Sequence, residues 1–194
     1  MNLLAHLHLS EGLATAAAAG NLLADYVRRV RTRPIDDDFK AGMAFHQAID
    51  IFAEQDRDHQ AARTCIQAPY RRLAGVIVDV AFDYCLSRNW ADFSDEPLET
   101  YVARRIAPIQ AYVTASGSPL GLLLDRAVEQ GWLLSYSTPE GLQTTFRRVS
   151  GRSRAAEGLL GAEKEIVRQL EGMEPSFRTF YPRLQKAAAE FETP

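Results

Sequence analysis

The stretch Gly75-Val76-Ile77-Val78-Asp79-Val80-Ala81-Phe82-Asp83-Tyr84-Cys85-Leu86 carries no charge except its two aspartates. A helix here is apolar nearly all round, the pattern of a helix that lies inside a protein. A buried carboxylate without a cation or hydrogen-bond donors is costly, so something must compensate this pair. Asp79 and Asp83 stand at i and i+4 and share a helix face. The spacing recurs in Phe45-His46-Gln47-Ala48-Ile49-Asp50, where an imidazole and a carboxylate share a face. A lone acid, Asp25, closes the apolar stretch that begins at Gly20. Imidazole and carboxylate together on packed helices are the donors a divalent metal ion needs.

Each fragment also has a plainer reading. Asp83 could pair with Arg72 or Arg88. His46 could be a hydrogen-bonded core histidine, and Asp25 a surface acid facing Arg28 or Arg29. The combination is the specific signal: an acid after an apolar helix, then His-x-x-x-Asp, then Asp-x-x-x-Asp in a third apolar helix.

The rest of the chain reads helical, with no alternating β-branched runs joined by hairpin turns. A first helical region runs roughly from Glu11 to Val30 and is broken at Arg33-Pro34. Asp36, Asp37 and Asp38 open a second helix, where acids oppose the positive end of the dipole. A third extends from about Pro69 to Asn89. Further helices are expected from Leu98 past Ile106, then at roughly 119–132, 139–149 and 155–171, with a last one beginning at Pro175. No repeat or linker divides the chain, so 194 residues are read as one all-α domain, 1–194, built by helix-on-helix packing.

With 46% hydrophobic and 24% charged residues the composition is that of an ordinary globular chain. A net charge of −3 argues against bulk electrostatic binding of nucleic acid. Cys65 and Cys85 have no metal-motif spacing and suit a reducing cytosol. The Leu- and Ala-rich N-terminus lacks a basic flank and is interrupted by His6, His8 and Glu11, so it does not read as a signal peptide. No apolar run approaches the roughly 20 residues of a membrane span. A cytoplasmic protein with no membrane contact is expected.

Several stretches together resemble the acyl carrier protein phosphodiesterase family. They are Met1-Asn2-Leu3-Leu4-Ala5-His6-Leu7-His8-Leu9, Gly20 to Asp25, His46 to Asp50, Arg72 to Asp83, Leu134 to Leu142, and Phe180-Tyr181-Pro182. The resemblance spans nearly the whole chain and implies a divergent branch of the HD phosphohydrolases, which are helical metal enzymes. It implies removal of 4′-phosphopantetheine from holo acyl carrier protein, with manganese as the favoured metal and magnesium or iron(II) as alternatives. Two positions depart from the family pattern: Gln47 stands where an arginine is usual, and Tyr84 where a histidine is usual.

Asp25, His46, Asp50 and Asp79 are therefore the expected metal ligands, drawn from three helices into one cavity. Asp25 would take the place of the first histidine of HD enzymes, and their adjacent His-Asp pair would be spread to i and i+4. Asp83 is read either as a ligand or as an acid orienting one. His6 is a candidate ligand or general acid, with a backbone-bonded core histidine as the plainer alternative. His59, between Arg57-Asp58 and Gln60, reads as a surface residue. Expected chemistry is metal-assisted phosphodiester hydrolysis, with arginines, Arg28, Arg29 and Arg72 among them, neutralising phosphoryl charge. Arg28, Arg29, Arg31 and Arg33 follow Asp25, and Arg147, Arg148, Arg152 and Arg154 form a second cluster. Arginines concentrated near a site suit an acidic protein substrate such as acyl carrier protein, although a solvated helix face reads the same. Two alternatives remain: a phosphohydrolase acting on a nucleotide or other small phosphoester, and a non-catalytic helical module that binds a carrier protein.

Overall fold

The two acids of the apolar stretch lie in a helix that is buried along most of its surface. The computed structural model describes residues 1–151 and 154–191, and among them the chain forms nine α-helices and no strand. They are α1 (Leu3–Leu9), α2 (Thr15–Arg29), α3 (Asp37–Gln55), α4 (Arg57–Cys65), α5 (Ala74–Arg88), α6 (Leu98–Ala115), α7 (Leu120–Glu129), α8 (Pro139–Ser150) and α9 (Ala162–Glu190). One apolar cluster draws residues from all nine. In α5, Ile77, Val78, Val80, Ala81, Phe82, Cys85 and Leu86 are all fully buried. The α5 helix is contacted by α1, α4 and α9, so it is the post around which the site is assembled. No helix among the described residues is long and apolar enough to cross a membrane.

Local chemistry sets the helix starts. Asp36 caps α3 by accepting from the Phe39 amide at 2.8 Å, with Asp37 and Asp38 in the first turn as expected. Asp56 both ends α3 and caps α4, accepting from Asp58 N at 2.8 Å and His59 N at 3.2 Å. This corner produces a helix, α4, that the apolar periodicity did not announce.

Three expected boundaries are corrected. A helix not expected, α1 with His6 and His8, precedes the first helical region, and α2 begins at Thr15 rather than Glu11. The third begins as a short 3₁₀ turn, Tyr70–Leu73, before α5. The helices expected at 155–171 and from Pro175 are largely one, α9, with Pro175 and Pro182 inside it. Each proline removes one donor from the helical ladder. Burial of Met173, Phe177, Phe180, Tyr181 and Leu184 along one face carries the helix through both. Arg152 of the second arginine cluster and the last three positions of the 1–194 span lie outside the described residues.

Helices α2 and α3 touch backbone to backbone. A Cβ added at Gly20 would overlap the Phe39 carbonyl oxygen and stand 3.1 Å from Gly42 Cα. One added at Gly42 would overlap the Ala17 carbonyl oxygen. Only glycine permits this approach at either position. It brings the C-terminal half of α2, with Asn21 and Asp25, against His46 and Asp50 of α3.

Candidate metal centre

His6 and His8 stand two apart on α1, so they point to different sides of that helix. His8 meets the Tyr181 hydroxyl at 2.7 Å among Trp90 and Tyr101, and is a core histidine with a partner. His6 turns toward α2 and α3 and stacks on His46, ring centroids 3.9 Å apart.

Asn21 holds both rings. Its side-chain oxygen accepts from His6 Nδ1 at 2.9 Å, and its backbone carbonyl accepts from His46 Nδ1 at 2.8 Å. The amide nitrogen of Asn21 donates to the His6 carbonyl and to Ser10 Oγ, which fixes the carboxamide. With hydrogen on each Nδ1, it is the Nε2 atom of each ring that faces the cluster. Both are buried and have no hydrogen-bond partner. Asp50 lies beneath them, Oδ1 3.3 Å from His6 Nε2 and Oδ2 3.2 Å from His46 Nε2. His6, His46 and Asp50 can present one ligand atom each within 4.8 Å of one another. Two orphaned imidazole nitrogens and a carboxylate fit a divalent cation, and the cluster is able to hold one.

The other predicted residues surround this triad. Asp25 Oδ1 is 3.6 Å from His46 Nε2. Asp79 reaches the cluster through the Met1 α-ammonium, which lies 3.2 Å from both Asp50 Oδ1 and Asp79 Oδ1. Asp25, His46, Asp50 and Asp79 are thus joined through short contacts, although Asp79 stands outside the tight triad. Asp83 is not part of it. Fully buried, it accepts from the Leu4 amide at 2.8 Å and the Ala5 amide at 3.3 Å at the start of α1. Neither Arg72 nor Arg88 pairs with Asp83; Arg72 is exposed in the turn before α5 and has no contact with the cluster among the described residues.

His59 is not a surface residue: it is fully buried, and its Nε2 lies 3.0 Å from Asp79 Oδ1. Its ring packs on Phe82 and Phe180, and its Nδ1 has no hydrogen-bond partner. Charged neighbours disguised it, but His59, Ala62 and Ile66 follow helical spacing and form the inward stripe of this corner. The Met1 ammonium was equally absent from the sequence reading, because no residue pattern announces a terminal amine.

Electrostatics follow from burial and crowding. Burial lowers the His6 pKa, the adjacent His46 lowers it further, and it falls to about 4. Burial also works against the His46 cation, but the Asp25 and Asp50 carboxylates outweigh it and raise the pKa to about 9. The stacked pair therefore carries one charge between its two rings. Burial pushes Asp50 upward, yet His46, His6 and the Met1 ammonium hold it far below the usual carboxylate range. Asp79 is likewise lowered against burial by Met1 and His59. The Met1 amine, buried but facing Asp79 and Asp50, is raised to about 10. Asp83 goes the other way: desolvation dominates its two amide donors and lifts it to about 7.

A groove of about 380 Å³ opens onto the cluster, lined by Asp25, Arg28, His46, Gln47, Asp50 and Ile51 among others. Exposed Arg28, Ile51 and Glu54 form its rim, so it is an open channel rather than a closed pocket. Arg29, the next residue of α2, lines a different groove.

Proteins named acyl carrier protein phosphodiesterase from Salmonella dublin and Escherichia coli O139:H28 are 31% and 30% identical to the chain over 190 residues. Both alignments cover 97% of this chain and 98% of the relative. A relative of the same name from Salmonella agona is 30% identical over the same shares. No solved structure matches the chain. The sequence model of that family matches residues 1–184, from the amine at Asp50 to the last turns of α9, and the chain belongs to the acyl carrier protein phosphodiesterase family.

Proposed function

We propose that this protein is a metal-dependent phosphodiesterase that hydrolyses the 4′-phosphopantetheine group from holo acyl carrier protein, leaving the apo protein. The observation that carries the reading is the buried pair of partnerless Nε2 atoms over Asp50, within a family whose relatives are named acyl carrier protein phosphodiesterase. His6, His46 and Asp50 would hold the ion, with Asp25 and Asp79 flanking it. The divalent ion, manganese by family resemblance, supplies Lewis acidity and lowers the pKa of water. His46 holds its extra proton on Nε2 in the ion-free protein, so loading releases that proton.

The chain's own residues divide the remaining work. Asn21 keeps both Nε2 atoms turned inward. His59 fixes the Asp79 carboxylate from behind, and this couple is the one we assign to moving a proton to the serine oxygen that leaves. Arg28 stands at the mouth, where it can meet a phosphoryl oxygen. An open groove suits a reactive group carried at the end of a flexible arm, and its setting in an acidic carrier protein of the cytoplasm is part of this proposal. No arginine pairs with Asp25, Asp50, Asp79 or Asp83 among the described residues, contrary to what a non-catalytic module would need. Likeness to HD enzymes rests on the Asp25, His46-x-x-x-Asp50 and Asp79 pattern.

The test is metal analysis of the purified protein together with the mass of holo acyl carrier protein after incubation. Loss of the phosphopantetheine mass, abolished by EDTA and restored best by manganese, is expected. An active protein confirmed free of metal would overturn the mechanism.

A further inference from the structure

The α4–α5 corner that holds the His59–Asp79 couple continues outward into a cationic surface. One turn beyond His59 on α4 stands Arg63, and one turn before Asp79 on α5 stands Gly75. A Cβ added at Gly75 would lie 3.6 Å from Arg63 Cζ, 3.7 Å from its Nη2 and 3.9 Å from its Nε. The central carbon is the nearest of the three, so the guanidinium lies face-on against the α5 backbone. Its Nε is enclosed without a hydrogen-bond partner. Arg71 and Arg72 are exposed in the 3₁₀ turn, Tyr70–Leu73, that leads into α5. No carboxylate among the described residues lies within ion-pair distance of Arg63, Arg71 or Arg72. Asp56 and Asp58, at the start of α4, are taken by Arg183 of α9. Val76, in the first turn of α5, is 40% exposed. Arg72, Val76 and Asp79 stand at i, i+4 and i+7 and follow one stripe. At 1.5 Å per residue, Val76 is about 4.5 Å and Arg72 about 10 Å from Asp79 along the axis. The Asp79 side chain is itself 27% exposed, so the stripe runs from solvent to the edge of the metal centre.

We propose that this surface seats the acidic carrier protein during hydrolysis, an assignment that rests on the function proposed above. The bond to be cut joins the phosphoryl group to a serine of the carrier protein. The protein surface around that serine therefore has to meet the rim of the centre. Three arginines without acids of their own ask for carboxylates, in a chain whose net charge is −3. A valine placed among them asks for an apolar contact. An acidic protein offers both, and complementary charge of this kind steers encounter and fixes orientation. A nucleic acid would satisfy the arginines but leave Val76 against water or phosphate. Position supports the assignment as well. Arg28 borders the Asp25 end of the linked acids, and this surface borders the Asp79 end.

The test is steady-state kinetics of the full chain on holo acyl carrier protein with wild type, Arg71→Glu, Arg71→Lys and Val76→Ser, each checked for an unchanged urea midpoint. Reversing a rim charge chiefly slows encounter, so Arg71→Glu should raise KM about tenfold at low salt while kcat stays within about twofold. Arg71→Lys keeps the charge and should hold KM within about twofold of wild type. In about 1 M salt, where the Debye length is about 3 Å, the Arg71→Glu difference should vanish. Val76→Ser should raise KM about fourfold at either salt concentration, as loss of a part-buried apolar contact does. A wild type that leaves holo acyl carrier protein intact overturns the proposed function and this occupant with it. In an active wild type, a KM unmoved by Arg71→Glu, or a rise that survives high salt, overturns the surface alone. If Arg71→Glu weakens binding of a single-stranded oligonucleotide but not the KM for carrier protein, the surface belongs to nucleic acid and the proposal fails.

Discussion

Replacing Gly20 by alanine sets two effects of opposite sign against each other. Alanine in a helix interior is favoured over glycine by about 1 kcal/mol. Here the new methyl would overlap the Phe39 carbonyl oxygen and stand 2.8 Å from its carbon and 3.1 Å from Gly42 Cα. Comfortable carbon contacts lie at about 3.5–4.0 Å, so α2 and α3 must part by roughly 1 Å. Because the obstructing atoms are backbone, no rotamer change relieves the clash. Overpacking of this kind costs about 3 kcal/mol, the upper end of its usual range. The net loss is about 2 kcal/mol, which at a urea dependence of about 2 kcal/mol/M lowers the midpoint by about 1 M. Gly172→Ala in α9 is the matched control. Its methyl meets only Cys65 Sγ at 3.5 Å, an ordinary contact, so the midpoint should hold or rise. Separation of α2 from α3 also stretches the link between His46 and the Asn21 carbonyl, so Gly20→Ala should lose activity under conditions where it is still folded. Equal midpoints for Gly20→Ala and wild type in urea melts followed by circular dichroism would refute the close-approach argument.

Three further outcomes follow from the site. Burial raises the Asp83 pKa in the folded protein to about 7 from an ordinary value of 3.8, so its neutral form is favoured by folding. Wild type should lose stability as pH rises from about 4 to 7, by at most about 4 kcal/mol from this group. Asp83→Asn should flatten that slope in urea midpoints taken at pH 5 and pH 8; parallel slopes would show that Asp83 is ionised throughout. His59→Ala should weaken manganese binding about 10–100-fold, as loss of a group orienting a ligand does. His59→Gln should recover part of it, and a calorimetric titration that finds both variants equal to wild type would remove His59 from the centre. Asn21→Leu leaves His6 Nδ1 unpaired in the interior and takes one bond from Ser10 Oγ, which keeps the His6 carbonyl, a loss of about 2 kcal/mol in a thermal or urea melt, and an unchanged midpoint would contradict the network drawn here.

The sequence was most informative where side chains obey helical spacing. Asp79 and Asp83 are legible as acids in a buried helix because their neighbours are uniformly apolar, and Asp36 is legible as a cap because its role is local. Asp83's partners were not legible. They are backbone amides of α1, about eighty residues away in the chain, and a backbone donor carries no residue code. The alternative that Asp83 pairs with an arginine fails for that reason. His59 was hidden by Arg57 and Asp58, which occupy the outer face of a short helix whose inner face is only three residues wide. Pro175 misled in the opposite sense, since a local rule about backbone donors was overridden by five buried side chains on one face of α9. His6 was distinguishable from His8 only once α1 was known to be a helix, because helical geometry turns residues two apart to different sides.

The arrangement around Asn21 also determines what sign of charge the centre accepts. Its carboxamide has one workable orientation, since a rotated amide would set oxygen against the His6 carbonyl and nitrogen against the His6 N–H. That orientation assigns the Nδ1 proton on His6, and the Asn21 backbone carbonyl assigns the one on His46, so both Nε2 atoms face inward, His6 with an electron pair and His46 with an exchangeable proton. A cation that displaces the His46 proton finds two imidazole nitrogens and a carboxylate. The polarity of the centre is thus written by a neutral residue, and exchanging a single atom of it, Asn21→Asp, would be enough to turn His6 from a base into an acid.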